Sequence, residues 1–459
     1  MARKFVPHEY QQIALDFMGQ TERCALFAGM GLGKTVSTLS LLELLILTGG
    51  VGDPILVLGP KRVAQSTWPE EVAKWEHLQH LEIAPVCGSP AQRRAQLRRP
   101  AHIYTCNYEQ IPWLIENFEG RAWPFKTIVA DESTRLKGYR TKQGGLRTQA
   151  LAKRARETER WINLTGTPAS NGLKDLWGQF WFLDFGARLG RTYSAFSERW
   201  FRTDYNGYGM KPMPHAEREI YAKIEDITLS IRPEDWFDLK EPIERTVRVT
   251  LPPKVRAAYR QLEKDMFTEL ACGTEIEAFN AAALTNKCRQ FANGAAYTTH
   301  PEWVGVHDAK LEALDSIVQE ASGASLLVAY EFVSDRERIL KHFHSIAVDI
   351  SKPEGLRQFK AGEAQLGVAH PKSMGHGIDG LQEVCNMLVY FGHGWDLELR
   401  QQILERIGPV RQMQSGRDRA VWVWSIVADE TLDDAVLERH QSKREVQDLL
   451  LEAMTRRQK

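Results

Sequence analysis

The sequence has few cysteines, no long apolar run and no apolar N-terminal segment, and each shortage excludes a class of protein. Its six cysteines form no Cys-x-x-Cys pair, which argues against a zinc ribbon or a disulfide framework and favours a reducing compartment. The first residues lack the apolar core of a signal peptide. The longest apolar run, residues 36–48, is short and contains Glu43, so we expect no membrane span and a cytoplasmic location.

The chain also lacks net charge. It has 59 basic and 59 acidic residues, so no overall field attracts it to nucleic acid, and any basic surface must be local. We find neither a repeat of short fixed period nor a low-complexity tract. At 459 residues the chain is too long for a single core, and its length predicts two or three domains.

What the sequence does contain is a glycine-rich loop, residues 28–35 (AGMGLGKT), between an apolar run and the long apolar segment 36–47. This order predicts a strand, a phosphate-binding loop and a helix. Gly29, Gly31 and Gly33 let backbone N–H groups approach a polyphosphate, and the helix N-terminus adds a partial positive charge. The alternative is an ordinary strand-to-helix turn followed by an exposed lysine, which the Gly-Lys-Thr ending and both flanks disfavour.

Four polar side chains would complete a site for Mg-ATP around this loop. Lys34 would reach the β- and γ-phosphates of ATP, and the Thr35 hydroxyl would take one position on Mg²⁺. The apolar segment 126–130 ends in Asp131 and Glu132. Asp131 would hold Mg²⁺, directly or through water, and Glu132 would orient and deprotonate the attacking water. Because a strand often ends in two acids by chance, this prediction depends on their pairing with the loop.

Three further features could belong to the same site. Gln11, upstream of the first predicted strand, could hydrogen-bond both the donor and the acceptor edge of an adenine. Thr165 lies in the hydroxyl-rich segment 164–168 (LTGTP), and such a turn can sense the γ-phosphate by hydrogen bonds. Basic residues between 137 and 147 could contact nucleic-acid phosphates or could form a solvated loop, and the sequence leaves both alternatives open.

The motifs Ala-x-x-Gly-x-Gly-Lys-Thr, Asp-Glu-x-x and Leu-Thr-Gly-Thr-Pro, in that order, resemble those of superfamily 2 helicase-type ATPases. The pattern of Pro60, Trp68 and Trp75 looks like the Swi/Snf group of double-stranded-DNA translocases. That group usually has Asp-Glu-Ala-His. This chain instead continues with Ser133 and Thr134, and so lacks the histidine of the usual relay from the acids to the Thr-Gly-Thr turn. The Ser-Thr form looks more like the compact members carried by bacterial viruses.

The resemblance implies an α/β fold of two RecA-like parallel-sheet lobes in tandem, with helical elaborations. Residues 1–232 would form the ATP-binding lobe, with a helical insertion at about 171–232, and residues 233–459 would form the C-terminal lobe. Alternating strand and helix patterns from residue 245 onward agree with a second parallel sheet. The two lobes would sandwich Mg-ATP and ratchet along a DNA backbone.

The second lobe carries two motifs of the same resemblance. Residues 369–382 resemble the family's loop that touches both the DNA backbone and the nucleotide. Gln402 and Arg406 lie one turn apart on one face of a predicted helix. In the family two arginines of this motif reach the γ-phosphate, and the second one here is Arg411, displaced by what looks like a two-residue insertion at 408–409. Arg406 and Arg411 are therefore both candidates for the arginine finger. The resemblance assigns further nucleotide contacts to Gly377, Asp379 and Gln402.

These expectations converge on a DNA-dependent ATPase that translocates along double-stranded DNA, with ATP and Mg²⁺ as cofactors. DNA would be held by sequence-independent backbone contacts, with a steep dependence on salt. Two alternatives stay open: a strand-separating helicase, and an ATP-gated DNA-binding module with little turnover. The compact length of the chain suggests that the protein acts in the cytoplasm of a bacterium or a phage-infected host. The sequence does not indicate a protein partner.

Overall fold

The computed structural model forms two compact units, which we describe separately. The first takes in the described residues up to Phe237, and the second begins at Leu239. The structure describes residues 2–29, 31–51, 54–142, 144–166, 168–169, 172–203, 210–237, 239–272, 278–297, 302–374, 378–417, 419–438 and 440. Among the described helices we find no candidate for a membrane-spanning segment.

The first unit is built on a seven-stranded sheet in which every pairing is parallel. The strands of this unit, including the hairpin β7–β8, are β1 Arg23–Ala28, β2 Ile55–Gly59, β3 Ile83–Pro85, β4 Ile103–Asn107, β5 Thr127–Asp131, β6 Arg160–Thr165, β7 Phe201–Thr203, β8 Met210–Pro212 and β9 Thr228–Ile231. The order in the sheet is β3-β4-β2-β5-β6-β1-β9. Its central strands are apolar and buried along their length because helices cover both faces.

Nine helices of the described residues surround this sheet, and the helix after β1 begins at Lys34, as the glycine-rich loop predicted. Their bounds are α1 Glu9–Gln20, α2 Lys34–Leu47, α3 Trp68–Lys74, α4 Pro90–Arg98, α5 Ile111–Asn117, α6 Leu146–Ala155, α7 Leu176–Asp184, α8 Tyr193–Trp200 and α9 Ala216–Ile224. Helix α7 is buried almost throughout, and its Trp177, Phe180 and Phe182 belong to the main apolar core of the unit.

The segment 173–232 differs from the helical expectation. It contains the hairpin of β7 and β8 and then β9, which joins the main sheet beside β1 with Ala25 opposite Thr228. Pairing with β1 buries all four residues of β9. This burial in the sheet favours a strand over the helix that we expected from the local sequence. The first unit also continues past residue 232, because Trp236 and Phe237 pack with ring centroids 5.7 Å from that of Tyr10.

The second unit contains a six-stranded sheet, again parallel in every pairing. The strands, including the antiparallel pair β11–β12, are β10 Ile243–Val249, β11 Ala295–Tyr297, β12 Trp303–Gly305, β13 Leu326–Ala329, β14 Ala347–Asp349, β15 Leu366–Ala369, β16 Met387–Tyr390 and β17 Trp422–Ala428. The order in the sheet is β10-β17-β16-β13-β15-β14. Two parallel-sheet lobes in tandem are therefore confirmed as the fold class.

Helices alternate with these strands as the patterns from residue 245 onward predicted. The bounds are α10 Pro253–Cys272, α11 Ala278–Ala292, α12 Ala309–Glu320, α13 Val333–His342, α14 Pro353–Lys360, α15 Pro371–Met374, α16 Leu381–Val384, α17 Leu397–Glu405 and α18 Pro409–Gln414. A last helical segment covers 432–438. Buried Lys310 ties α12 to this segment through Asp433, with Nζ and Oδ2 2.6 Å apart.

Candidate active site

The glycine-rich loop leaves β1 at Ala28 and enters α2 at Lys34. Gly31 and Gly33 have φ angles of 86° and 76°, a left-handed conformation that favours glycine. A Cβ atom on Gly33 would lie 2.4 Å from Nε2 of Gln11, so a side chain at this position would displace the Gln11 amide. Because the N-cap of α2 is Gly33, it supplies no side-chain oxygen to the first turn of the helix. The turn therefore has the open N-terminus at which helices bind phosphate.

The Lys34 side chain lies across this loop. Its Nζ donates to the carbonyl oxygens of Ala28, at 2.6 Å, and Gly29, at 3.1 Å. These acceptors belong to the loop itself, so the ammonium group is held beside the backbone that would contact a polyphosphate. Thr35 follows in the first turn of α2.

Gln11 braces the same loop from α1. Its Nε2 donates to the Leu32 carbonyl at 3.2 Å, and its Oε1 accepts from the His8 backbone N–H at 2.9 Å. The residue is 6% exposed. Both ends of the amide therefore have protein partners, and the adenine contact of Gln11 stays a prediction.

Asp131 is the last residue of β5, and its carboxylate is buried against an indole. Oδ2 accepts from Nε1 of the fully buried Trp68 at 2.9 Å. The hydroxyl of Tyr108 donates to the Asp131 backbone carbonyl at 2.9 Å. Burial raises the pKa of the Asp131 carboxyl, whereas the Trp68 N–H and the positive charge of Lys34 oppose this rise. In the sequence, Trp68 stood out only as part of the family pattern and not as a contact of Asp131. The packing of α3 on the sheet brings the two side chains together.

Glu132 has φ 57° and ψ 58°, a left-handed conformation that is uncommon for a residue with a side chain. Such a conformation costs about 1–3 kcal/mol and tends to persist at functional sites, where the surrounding structure enforces it. It ends the strand directly after Asp131 and starts a 3₁₀ segment, Ser133–Leu136. Glu132 is 8% exposed.

The sheet brings the predicted residues of the first unit to one edge. Strands β5, β6 and β1 are neighbours, with Asp131 opposite Leu164 and Thr165 opposite Phe27. The carboxyl ends of adjacent parallel strands are where open α/β sheets bind ligands. The loop, the two acids and Thr165 therefore share this edge.

The donor set suits Mg²⁺ bound together with a polyphosphate. Among the described residues no group of three or more His, Cys, Asp or Glu side chains could hold a metal alone. Magnesium commonly takes one or two protein oxygens and fills its other positions with phosphate and water. A hydroxyl from Thr35 and a carboxylate from Asp131 are ligands of this kind, and their role remains a prediction.

In the second unit the two candidate arginines have different environments. Arg406 is 8% exposed, and it donates from Nε to the Met374 carbonyl at 3.0 Å and from Nη1 to the Ile378 carbonyl at 3.2 Å. Arg411 instead pairs with the exposed Asp379, with Nη1 and Oδ1 2.6 Å apart. Arg406 thus braces the backbone on both sides of 375–377, a range that includes Gly377 and lies outside the described residues.

Residues 408–409 divide this motif between two helices. Gly408 is the N-cap of α18 and Pro409 its first residue, so α17 ends and a new helix carries Arg411. Gln402 lies on α17, 3% exposed, and its Nε2 donates to Glu398 at 3.1 Å. Its Oε1 has no hydrogen-bond donor in the described part of the chain. The role of Gln402 at the nucleotide remains a prediction.

Comparison with known proteins gives the same family at several levels of similarity. A family model for the SNF2-related domain matches residues 10–290. Protein p41 of Acyrthosiphon pisum secondary endosymbiont phage 1 is 49% identical over 462 residues, an alignment that covers 99% of this chain and 100% of p41. Helicase ssl-1 of Caenorhabditis elegans is 32% identical over 62% of this chain, and helicase SWR1 of Yarrowia lipolytica is 25% identical over 72%.

These relatives differ greatly in length. The chain spans 12% of helicase ssl-1 and 18% of helicase SWR1, whereas p41 is matched from end to end. Among solved structures, the SWI2/SNF2 ATPase core of Sulfolobus solfataricus in complex with dsDNA is 21% identical, with a TM-score of 0.44, and the match covers 98% of this chain and 94% of that one. The phage relative confirms the expected compact phage type. Since the SNF2-related model matches more than half of the residues, this chain belongs to the SNF2-related family of helicase-like ATPases.

Proposed function

We propose that this protein is a DNA-dependent ATPase that couples ATP hydrolysis to translocation along double-stranded DNA. One observation carries the proposal: Lys34, Asp131, Glu132 and Thr165 belong to loops and strand ends at a single edge of the first sheet. Membership of the family supports the ATPase part. The preference for double-stranded DNA is the finer part of the proposal, and it comes from the resemblance of the sequence motifs to the Swi/Snf group of double-stranded-DNA translocases.

Each candidate site residue of the first unit has a distinct role in this reaction. The loop N–H groups and Lys34 bind the β- and γ-phosphates of ATP. Thr35 and Asp131 would hold Mg²⁺, which would supply positive charge to the phosphates. Glu132 orients the attacking water and accepts its proton. From the second unit, Arg411 stabilises the charge that develops on the γ-phosphate. Arg406 already donates to two backbone carbonyls, so we assign it to supporting the backbone at Met374 and Ile378.

The proposal is tested by measuring ATP hydrolysis without nucleic acid, then with single-stranded DNA, duplex DNA and RNA. We expect duplex DNA to raise the rate most, and the affinity for DNA to fall steeply as salt increases. Greater stimulation by single-stranded DNA, together with unwinding of a fork that has a directional overhang, would favour a strand-separating helicase instead.

Glu132→Gln separates an enzyme from a gated binding module. Glutamine keeps the size of the side chain but cannot accept the proton, so kcat should fall by about 10²-fold or more while ATP binding persists. Hydrolysis rate and nucleotide affinity are measured on the same protein. A wild-type rate no higher than that of Glu132→Gln would overturn the assignment as an ATPase and support an ATP-gated module.

Trp68→Phe tests how Asp131 is held. The change removes the indole N–H that donates to Oδ2, and a hydrogen bond to a charged group contributes about 1.5–3 kcal/mol. We expect the Mg²⁺ concentration for half-maximal ATP hydrolysis to rise by about tenfold. Trp75→Phe is the matched control, because its Nε1 donates to a different carboxylate, that of Glu71, at 2.7 Å. Equal Mg²⁺ curves for the two variants would contradict a role for Trp68 at Asp131.

A further inference from the structure

One buried amide, that of Gln179 on α7, connects two segments of the candidate site. Its Oε1 accepts from the Ser133 hydroxyl at 2.8 Å, directly after the acidic pair. Its Nε2 donates to the carbonyl oxygens of Pro168, at 2.7 Å, and Asp175, at 3.0 Å. Both Gln179 and Ser133 are 0% exposed. Because two carbonyl groups accept from the same side of the amide, they fix which end carries the NH₂ group.

The backbone of α7 is placed for this connection by the neighbouring glycine. A Cβ atom on Gly178 would lie 2.6 Å from the Leu136 carbonyl oxygen and 2.9 Å from that of Lys137. Only glycine permits so close an approach of the helix to the 3₁₀ segment that follows Glu132. The main-chain carbonyl of Gln179 also accepts from Nδ2 of Asn163 on β6 at 3.0 Å. The helix is therefore bound to the acidic segment and to the strand that leads to Thr165.

We propose that Gln179 and Ser133 form a positioning pair, which couples the backbone after Glu132 to the turn that follows Thr165. The inference rests on the proposed ATPase function. Gln179 acts by holding Ser133, the residue next to Glu132, and the Pro168 carbonyl in one arrangement. Chains with Asp-Glu-Ala-His have a histidine at the position of Thr134, and that histidine relays between the acids and the Thr-Gly-Thr turn. In this chain Gln179 on α7, outside the motif, joins the same two segments.

The reason to expect an effect on rate is the conformation of Glu132. A left-handed residue persists only when its surroundings enforce it, and the Ser133–Gln179 hydrogen bond lies immediately after it. If that bond is lost, Glu132 can relax toward a commoner conformation and leave the water it must orient. Misplacement of a catalytic group by about 1 Å can cost about 10²-fold in rate.

The test uses Gln179→Met and Ser133→Ala, alone and together, in the full chain with saturating duplex DNA. Methionine keeps the length and volume of the side chain but loses the amide. We expect each single variant to lower kcat by about 10- to 100-fold with little change in KM for ATP, because the phosphate loop is untouched. The double variant should be no slower than the worse single variant, since both changes break the same connection.

Phe182→Leu is the matched control for simple destabilisation. It lies one turn further along α7, is 0% exposed and packs on Trp161 with ring centroids 5.0 Å apart. Melting temperatures are measured for every variant. A kcat for Gln179→Met within twofold of that for Phe182→Leu, or additive losses in the double variant, would overturn the proposal. If Gln179→Met does not fold, the kcat of Ser133→Ala is compared with that of Phe182→Leu instead, and a difference within twofold overturns the proposal. A wild-type chain without ATP turnover would instead overturn the proposed function, and this inference with it.

Discussion

Lys34→Ala should abolish ATP turnover and leave DNA binding nearly unchanged. The Nζ atom of Lys34 donates to the carbonyls of Ala28 and Gly29 within the loop, so its removal disturbs little beyond the site that would hold the phosphates. Loss of one preorganised donor aimed at developing charge costs about 10²–10³-fold in kcat, which brings hydrolysis close to the background of a steady-state assay. Steady-state hydrolysis and titration of labelled duplex DNA measure the two properties separately.

Lys74→Ala is the matched control for Lys34→Ala. Lys74 is a partly exposed lysine whose Nζ pairs with Glu71 at 3.0 Å, and such surface pairs contribute about 0–1 kcal/mol. The control variant should hydrolyse ATP and bind DNA like the wild type. If Lys34→Ala lost DNA binding together with hydrolysis, the lysine would serve more than the phosphates, and the assigned division of roles would be wrong.

Arg411→Ala should lower kcat by about 10³-fold while the protein stays as stable as the wild type. An arginine that stabilises the charge of a transferring phosphoryl group contributes about 10³–10⁵-fold to the rate. The stability cost is small because Arg411 pairs with Asp379, whose side chain is 61% exposed. Hydrolysis at saturating ATP and duplex DNA, together with a thermal melt, measures both quantities.

Two further variants decide between the arginines. Arg411→Lys keeps the charge but loses the planar fork, so it should recover only part of the rate. Arg406→Ala should mainly lower the melting temperature, because two buried carbonyl groups, those of Met374 and Ile378, lose their donors. An Arg406→Ala protein with a normal melt and no turnover, beside an active Arg411→Ala, would reverse the assignment.

The sequence by itself determined the elements whose signal is local. Glycines followed by Lys34 and Thr35 between two apolar runs predicted a strand, a loop and a helix, and β1 and α2 occupy those places. The apolar run before Asp131 predicted β5 in the same way. These predictions succeed because hydrophobic periodicity, glycine conformations and helix starts are properties of short segments. Alternation of such segments from residue 245 onward also predicted the second parallel sheet, whereas two lobes in tandem were implied by the family resemblance.

Tertiary structure decided the features that join distant segments. Strand β9 pairs with β1, about two hundred residues earlier in the chain. The composition of β9 alone did not predict a strand within a segment that we expected to be helical. Trp68 reaches Asp131, and Gln179 reaches Ser133, only because α3 and α7 pack on the sheet at particular depths. Likewise, the sequence left Arg406 and Arg411 as equal candidates for the arginine finger. Their contacts distinguish them, because Arg406 donates to two backbone carbonyl groups and Arg411 pairs with a carboxylate. Hydrogen-bond partners depend on distances between elements, and a linear sequence of residues does not contain those distances.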